Sequence, residues 1–317
     1  MAVIGTDLNE ARKILDSEQL VAIPTETVYG LAGNAFSEKA VLSIFHTKNR
    51  PSFDPLIAHT DSLEKVAGFV KSIPSVAEEL ANAFWPGPLT ILLERNNRIP
   101  DVMTSGLPRV AVRIPNHQLS LSLLSTLDYP VAAPSANPFG YVSPTSAQHV
   151  ENNLGDKIKY ILDGGDCQIG VESTIVGFEN NELIVYRLGG LTLESLEEVA
   201  GPLLLRNNQS SNPSAPGMIK SHYAPTKPLT LLSSNEMRSV AQINQGKAGF
   251  ITFSRFADLP YEFKLTESGD LEEAASSLFT ALRHFESLPV DRIYAERVPD
   301  EGLGRAINDR LQRAAAK

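Results

Sequence analysis

Short apolar runs alternate with amphipathic segments through the first two hundred residues of the chain. The runs "LVAI" (20–23), "PLIAH" (55–59), "LTILLE" (89–94), "VAVRI" (110–114), "VAA" (131–133) and "YILDG" (160–164) have the apolar character of buried strands. Between them, apolar residues recur at helical spacing. "LNEARKILDS" reads as a helix opened by Asp7. "SEKAVLSIFHTK" reads as one capped by Ser37, with Val41, Ile44 and Phe45 on one face. Two more helices are predicted at "SLEKVAGFV", with Asp61 and Glu64 as a capping pair, and at "PSVAEELANAFW". "STIVGFENNELIVYRL" (173–188) reads as a hairpin turning at "ENNE". That antiparallel content exceeds what a plain doubly wound sheet carries, so the class is α/β with a mixed sheet.

The texture changes at residues 206–228, "RNNQSSNPSAPGMIKSHYAPTKP", which is polar and rich in Asn, Ser and Pro and reads as a linker. Beyond it "LTLL", "GKAGFITF" and "DRIYAERV" read as strands, with helices between them and a last one at "LGRAINDRLQRAAA". Three strand–helix units imply a small open α/β domain of Rossmann-like form. The predicted organisation is a catalytic domain at 1–205, the linker at 206–228 and a C-terminal domain at 229–317. Inside the linker, Met218, Lys220, His222 and Tyr223 lie between Pro216 and Pro225, with Gly217 free to turn sharply. The expectation is that they pack over a bound nucleotide as a lid, against the alternative of a tether lying in a surface groove.

Composition narrows the function. The 317 residues suffice for two cores, and the single cysteine, Cys167, excludes a disulfide framework and any cysteine-built zinc site. No run is long enough for a membrane helix, and the N-terminus lacks the form of a signal peptide, which implies a cytoplasmic protein. A formal net charge of -9 disfavours a broad nucleic-acid surface and leaves local basic pockets as the informative feature.

Several such pockets are legible. In "TKNRPSFDPLIAH", Lys48 and Arg50 end a predicted helix. They either complement its dipole or form a phosphate clamp of one point charge and one planar fork, with His59 close by. Arg113 sits in an apolar strand and needs a partner, either an internal carboxylate or a bound anion. "AAPSANPFGYVSPTSA" offers Ser135, Asn137 and Ser143 ahead of a helix capped at Thr145. This is ordinary turn chemistry or an anion nest. "DGGDCQIGVESTIV" repeats the pattern with Ser173 and Thr174, and "YRLGG" adds Arg187. The P-loop, the dinucleotide fingerprint, the serine-nucleophile elbow and metal-ligand histidine spacing are all missing from the sequence. Positive charges and hydroxyls without a nucleophile suit positioning and electrostatic stabilisation at phosphorus.

Together "PTETVYGLAG", the Lys48-x-Arg50 pair, "DPLIAH", "WPGPLT", "VAVRIP", the Ser135-x-Asn137 pair, "GVESTIV", "RLGG" and "PGMIKSHYAP" resemble the Sua5/YrdC/YciO family, of the two-domain Sua5 type. "GLGRAINDRL" resembles the end of its C-terminal domain. The resemblance implies threonylcarbamoyl-AMP synthesis: L-threonine, bicarbonate and ATP give L-threonylcarbamoyladenylate and pyrophosphate. Mg²⁺ accompanies the ATP, no structural metal is expected, and a separate transferase complex uses the product to make t6A37 in tRNA. By the same resemblance Lys48 and Arg50 are the catalytic pair at the phosphates. Thr27, His59, Arg113, Ser143 and Ser173 are threonine-side positions. Arg50, Ala133, Ser135, Asn137, Arg187 and Tyr223 are nucleotide-side positions. Two departures fall on the ATP side: Asp54 stands where the family commonly has Asn, and Arg109 where a threonine is common. They either compensate one another or alter the ATP pocket. Rival readings are the related carbamoyl-adenylate chemistry of hydrogenase-maturation carbamoyltransferases, whose flanking acylphosphatase-like and zinc-finger segments are missing here, and an RNA-binding module using the same basic site.

Overall fold

The computed structural model describes residues 1–179, 182–206, 215–218, 223–243, 246–254 and 259–316, and divides into two compact units. The first comprises Met1–Phe139, Ser143–Gln168 and Glu172–Ile219. The second comprises Gly140–Val142, Ile169–Val171 and Lys220–Lys317.

Eleven strands form one mixed sheet in the first unit. In chain order they are β1 (Val3–Gly5), β2 (Val21–Ile23), β3 (Gly30–Asn34), β4 (Ile57–His59), β5 (Leu89–Glu94) and β6 (Arg109–Arg113). There follow β7 (Val131–Ala132), β8 (Tyr160–Leu162), β9 (Thr174–Glu179), β10 (Glu182–Arg187) and β11 (Leu203–Leu205). Their order across the sheet is β1-β8-β2-β3-β7-β4-β6-β5-β9-β10-β11. The hairpin β9–β10 pairs antiparallel as expected, while β4 and β6 run parallel with His59 opposite Arg113. Apolar side chains from both faces of the sheet pack against helices, in clusters around Leu31, Ile44 and Val112 on one side and Leu15, Ile23 and Leu124 on the other.

Asp7 and Ser37 cap their helices, Leu8–Asp16 and Glu38–Lys48, by accepting from backbone N–H groups of the first turn. Two expected caps move by one residue. Ser62, not Asp61, caps Leu63–Ala67, and Asp61 pairs instead with Lys65 at 2.8 Å. Ser146, not Thr145, caps Ala147–Leu154, because its hydroxyl reaches His149 N. Strands β1, β3 and β11 were not anticipated. β3, "GLAGN", escapes notice because two glycines dilute its apolar pattern.

The second unit holds a four-stranded, all-parallel sheet: β12 (Leu229–Leu232), β13 (Ala248–Thr252), β14 (Glu262–Lys264) and β15 (Arg292–Glu296), ordered β12-β15-β13-β14. It carries one strand, β14, more than the three expected.

The stretch read as a linker is divided between the units. Ala215 and Met218 bury in the first unit against Ile57, Leu92, Ala111, Ile175, Ile184 and Tyr186. Tyr223 belongs to the second, where its ring stacks on Phe279 at 5.5 Å with the Arg310 guanidinium 5.2 Å from its centroid. Lys220 and His222 lie outside the described residues. No helix among the described residues is long and apolar enough to cross a membrane.

Candidate active site

The antiparallel pair β2–β3 is joined by a loop, residues 24–29, that carries "PTETVY". Thr25 organises it. Its hydroxyl accepts from Thr27 N and Val28 N, both at 3.1 Å, and donates to Val28 O at 2.7 Å. With that proton committed, the 2.8 Å contact between the two threonine hydroxyls is donated by Thr27. Thr27 Oγ1 accepts in turn from Arg113 Nη1 at 2.9 Å. Gly30 then lets β3 pass close to the next loop: a Cβ there would stand 3.1 Å from Ala133 Cβ. Backbone bonds Leu31 N→Pro134 O (2.7 Å) and Ala136 N→Tyr29 O (2.8 Å) lock the "PTETVY" and "AAPSAN" loops together.

Arg113 is buried at the end of β6. Its Nε donates to Gly87 O at 3.2 Å, and its Nη2 lies 2.7 Å from Glu26 Oε1. The internal carboxylate that the sequence left open is therefore Glu26. His59, across the β4–β6 register, is equally buried, with Nδ1 3.3 Å from Ile57 O. Burial, with the Arg113 charge adding to it, lowers its pKa to about 3, so the ring is neutral at physiological pH. Ser143 donates to Glu172 Oε1 at 2.7 Å. Ser173 Oγ lies 2.7 Å from Thr90 Oγ1 and accepts from Arg187 Nη2 at 3.0 Å. The stretch Gly87–Thr90, which leads into β5, thus lies between two guanidiniums, Arg113 binding its first residue and Arg187 reaching its last through Ser173.

Of the residues that the sequence reading put on the nucleotide side, Arg50 and Asp54 pair with each other. Arg50 donates through Nε to Asp54 O (2.9 Å) and through Nη2 to Pro55 O (2.8 Å), and Nη2 lies 2.9 Å from Asp54 Oδ2. Gly217 N donates to Asp54 Oδ1 at 3.4 Å. Burial raises the Asp54 pKa, and Arg50 opposes that rise. Arg187 donates through Nε and Nη2 to Ser173 O, and through Nη1 to Pro216 O at 3.5 Å. Gly217 has φ +71°, and a Cβ there would stand 2.8 Å from Arg187 Nη1, so the guanidinium or the segment would have to shift.

Three placements depart from the sequence reading. Lys48 and Arg50 do not face solvent at a helix end. Lys48 is 1% exposed, and its Nζ donates to the carbonyls of Ser135 and Asn137. Burial first, then the neighbouring Arg50 charge, depresses its pKa well below the usual lysine range. It ties the "SAN" loop to the end of its helix, an arrangement neither the dipole nor the clamp reading foresaw. Asp54 and Arg109 do not compensate one another. Asp54 pairs with Arg50, whereas Arg109, at the other end of β6 from Arg113, donates to Phe178 O at 3.3 Å, stands 3.9 Å from Glu179 Oε1 and lies over the Tyr186 ring at 5.3 Å. Tyr223 belongs to the second unit, as described above.

Ala133, Ser135 and Asn137 share the loop that Lys48 holds. Ala133 N donates to Ile57 O at 3.0 Å, and Asn137 N to Ser135 O at 3.0 Å. Glu26, Glu172, Thr25 and Thr90 were not assigned roles from sequence. The signal for the two carboxylates is a glutamate next to hydroxyl residues at a strand's end or start, in "TET" and "VEST"; Thr90 has none.

The profile of the Sua5/YciO/YrdC family (Telomere recombination) matches residues 13–189, and that of "Threonylcarbamoyl-AMP synthase, C-terminal domain" matches 191–316. The chain belongs to the Sua5/YciO/YrdC family. Within the family, the threonylcarbamoyl-AMP synthase of Pyrococcus abyssi is 41% identical over 309 residues, 94% of this chain and 90% of that protein. That of Bacillus subtilis is 39% identical over 318 residues, 96% and 92% of the two chains. The crystal structure of P. abyssi Sua5 complexed with L-threonine superposes with a TM-score of 0.92 at 38% identity, covering 99% of this chain and 97% of that one.

Proposed function

We propose that the chain is a nucleotidyl-transferring enzyme that joins L-threonine, bicarbonate and ATP into L-threonylcarbamoyladenylate, releasing pyrophosphate, for t6A37 modification of tRNA by a separate transferase complex in the cytoplasm. The observation that carries the reading is the presence, within one unit, of two differently built buried clusters around guanidinium groups. Arg113, Thr27 and neutral His59 form one. Arg50, Arg187 and the Ser135–Asn137 loop form the other. The 41% identity to a threonylcarbamoyl-AMP synthase and the likeness to a threonine complex support the substrate assignment.

The chemistry asks for positioning. The threonine nitrogen bonds to the carbon of bicarbonate and a hydroxyl leaves as water, giving a carbamate. A carbamate oxygen then bonds to the α-phosphorus of ATP as the bond to pyrophosphate breaks. Arg113 holds the amino acid's carboxylate, neutral His59 offers a ring nitrogen without adding charge, and Thr27 and Ser173 supply hydroxyls. Arg50 and Arg187 take the nucleotide, with backbone N–H groups of the Ser135–Asn137 loop around its phosphates. Mg²⁺ would enter with ATP on its own phosphates, where it would share their charge.

Incubating the pure protein with ATP, bicarbonate and single amino acids and measuring pyrophosphate tests the proposal. Release should require threonine and bicarbonate together, with serine tolerated in part, since one methyl discriminates by about 1–3 kcal/mol. Equal release without an amino acid, or with alanine, would overturn it.

A further inference from the structure

Glu26 is the least satisfied group in the threonine-side pocket. Its side chain is 4% exposed, and neither carboxylate oxygen has a hydrogen-bond partner among the described residues. The 2.7 Å approach of Arg113 Nη2 to Oε1 is an ion pair by distance, but its angles fall outside those of a hydrogen bond. We therefore treat the contact as Coulombic. Arg113 Nη2 likewise makes no hydrogen bond, and the hydroxyl groups of the pocket are committed. Thr27 donates to Thr25 and accepts from Arg113, and Ser143 donates to Glu172. A buried carboxylate with about four acceptor positions and no donor is costly, so it points to a donor arriving with the ligand.

We propose that Glu26 receives the α-ammonium of the amino-acid substrate. The inference rests on the threonine reading above and adds to it a residue and a selectivity. Arg113 and Glu26 form adjacent positive and negative poles in one buried pocket, complementary to a zwitterion, whose carboxylate meets Arg113 while its three N–H donors meet Glu26. A pocket with Arg113 alone would accept any 2-substituted carboxylic acid. Glu26 makes it select those with a 2-amino group, the atom that must bond to the one-carbon unit.

The test is calorimetric titration of the full chain with L-threonine and with the 2,3-dihydroxybutanoate of matching configuration, which keeps the carboxylate and β-hydroxyl but replaces the amine. Glu26→Gln should weaken threonine binding by about 10–100-fold, the range of one charge-assisted hydrogen bond, and leave the dihydroxy acid within about twofold. Glu26→Asp, which keeps the charge but withdraws it by one methylene, should give an intermediate loss for threonine alone. The KM for threonine should rise more than kcat falls. Equal weakening of both ligands would reduce Glu26 to a prop for Arg113 and overturn the proposal, as would unchanged threonine binding. ATP titration of each variant checks that the fold persists, and if the Gln variant does not fold, the Asp variant decides by the same comparison. If the wild-type chain binds another amino acid in place of threonine, the threonine reading falls while the same amine-against-hydroxyl comparison on that ligand still judges Glu26. If it binds no amino acid, both fall.

Discussion

Arg187 holds Ser173 at two points: its Nη2 donates to the Ser173 carbonyl at 2.8 Å and to the Ser173 hydroxyl at 3.0 Å. A third bond, from Nε, reaches the same carbonyl at 3.1 Å. The planar fork thus fixes the rotamer of the Ser173 hydroxyl while its remaining nitrogen, Nη1, reaches Pro216 O at 3.5 Å. Lysine has the charge but not the fork, so it cannot make these bonds together. Arg187→Lys should raise the KM for ATP about tenfold or more and also weaken threonine binding, because Ser173 loses its donor. Steady-state kinetics with each substrate varied in turn would check this. An effect confined to ATP would mean that the Arg187–Ser173 bond carries no coupling.

Lys48 offers a separable case. Its amine supplies donors to two loop carbonyls, those of Ser135 and Asn137, from a fully buried position. Lys48→Met keeps the apolar stem and removes the donors, leaving both carbonyls short of a partner at a cost of about 2–4 kcal/mol. Thermal melting of the variant should show a drop of several degrees in Tm along with the loss of ATP binding. Lost turnover at an unchanged Tm would instead assign the amine to the phosphates.

The imidazole of His59 predicts a pH dependence. Its folded pKa, about 3, lies below the roughly 6.5 of an unfolded chain. Well above pH 6.5 neither state is protonated and the difference between them vanishes. As pH falls below that value the unfolded chain takes a proton that the folded chain refuses, so stability declines by up to about 1.4 kcal/mol per pH unit until pH 3. His59→Gln removes this pH dependence. Denaturant midpoints of wild type and variant, compared at pH 7 and pH 4.5, should therefore move closer together, or cross, at the lower pH. A constant gap would mean that His59 protonates normally in the folded chain.

The contrast between these residues and their sequence reading is one of range. Helix caps such as Asp7 and Ser37, and the β9–β10 hairpin, are local patterns of period and turn, so they are legible in the chain. So is the supply of cations and hydroxyls at strand ends. Pairing is not. Glu26 and Arg113 are 87 positions apart, and Lys48 meets Ser135 across a similar span, through a strand order that no local pattern encodes. Asp54 and Arg109 looked like a compensating pair because both depart from the family pattern. The structure gives Asp54 the arginine four residues before it and leaves Arg109 to Glu179 and Tyr186. Strand β3 was hidden for a different reason: its glycines allow close approach, Gly30 to Ala133 and Gly33 to Leu20 and Ile44, and add no hydrophobicity.

Gly217 gives the last prediction. It sits in Ala215–Met218, a short segment that buries Ala215 and Met218 against the sheet, and its N–H faces Asp54. Its φ of +71° costs a residue with a Cβ about 1 kcal/mol, and that Cβ would collide with Arg187 Nη1 at 2.8 Å. Because guanidinium and segment cannot both stay in place, Gly217→Ala should act on the nucleotide side through Arg187 and Asp54 together. ATP binding should weaken by about tenfold, with threonine binding less affected, and the loss should be far smaller when the substitution is made in an Arg187→Ala background, where the collision is gone. Calorimetric ATP titrations of the two single variants and the double variant measure that non-additivity. Fully additive losses would mean that the segment yields without moving Arg187, and that the glycine is required by its backbone conformation alone.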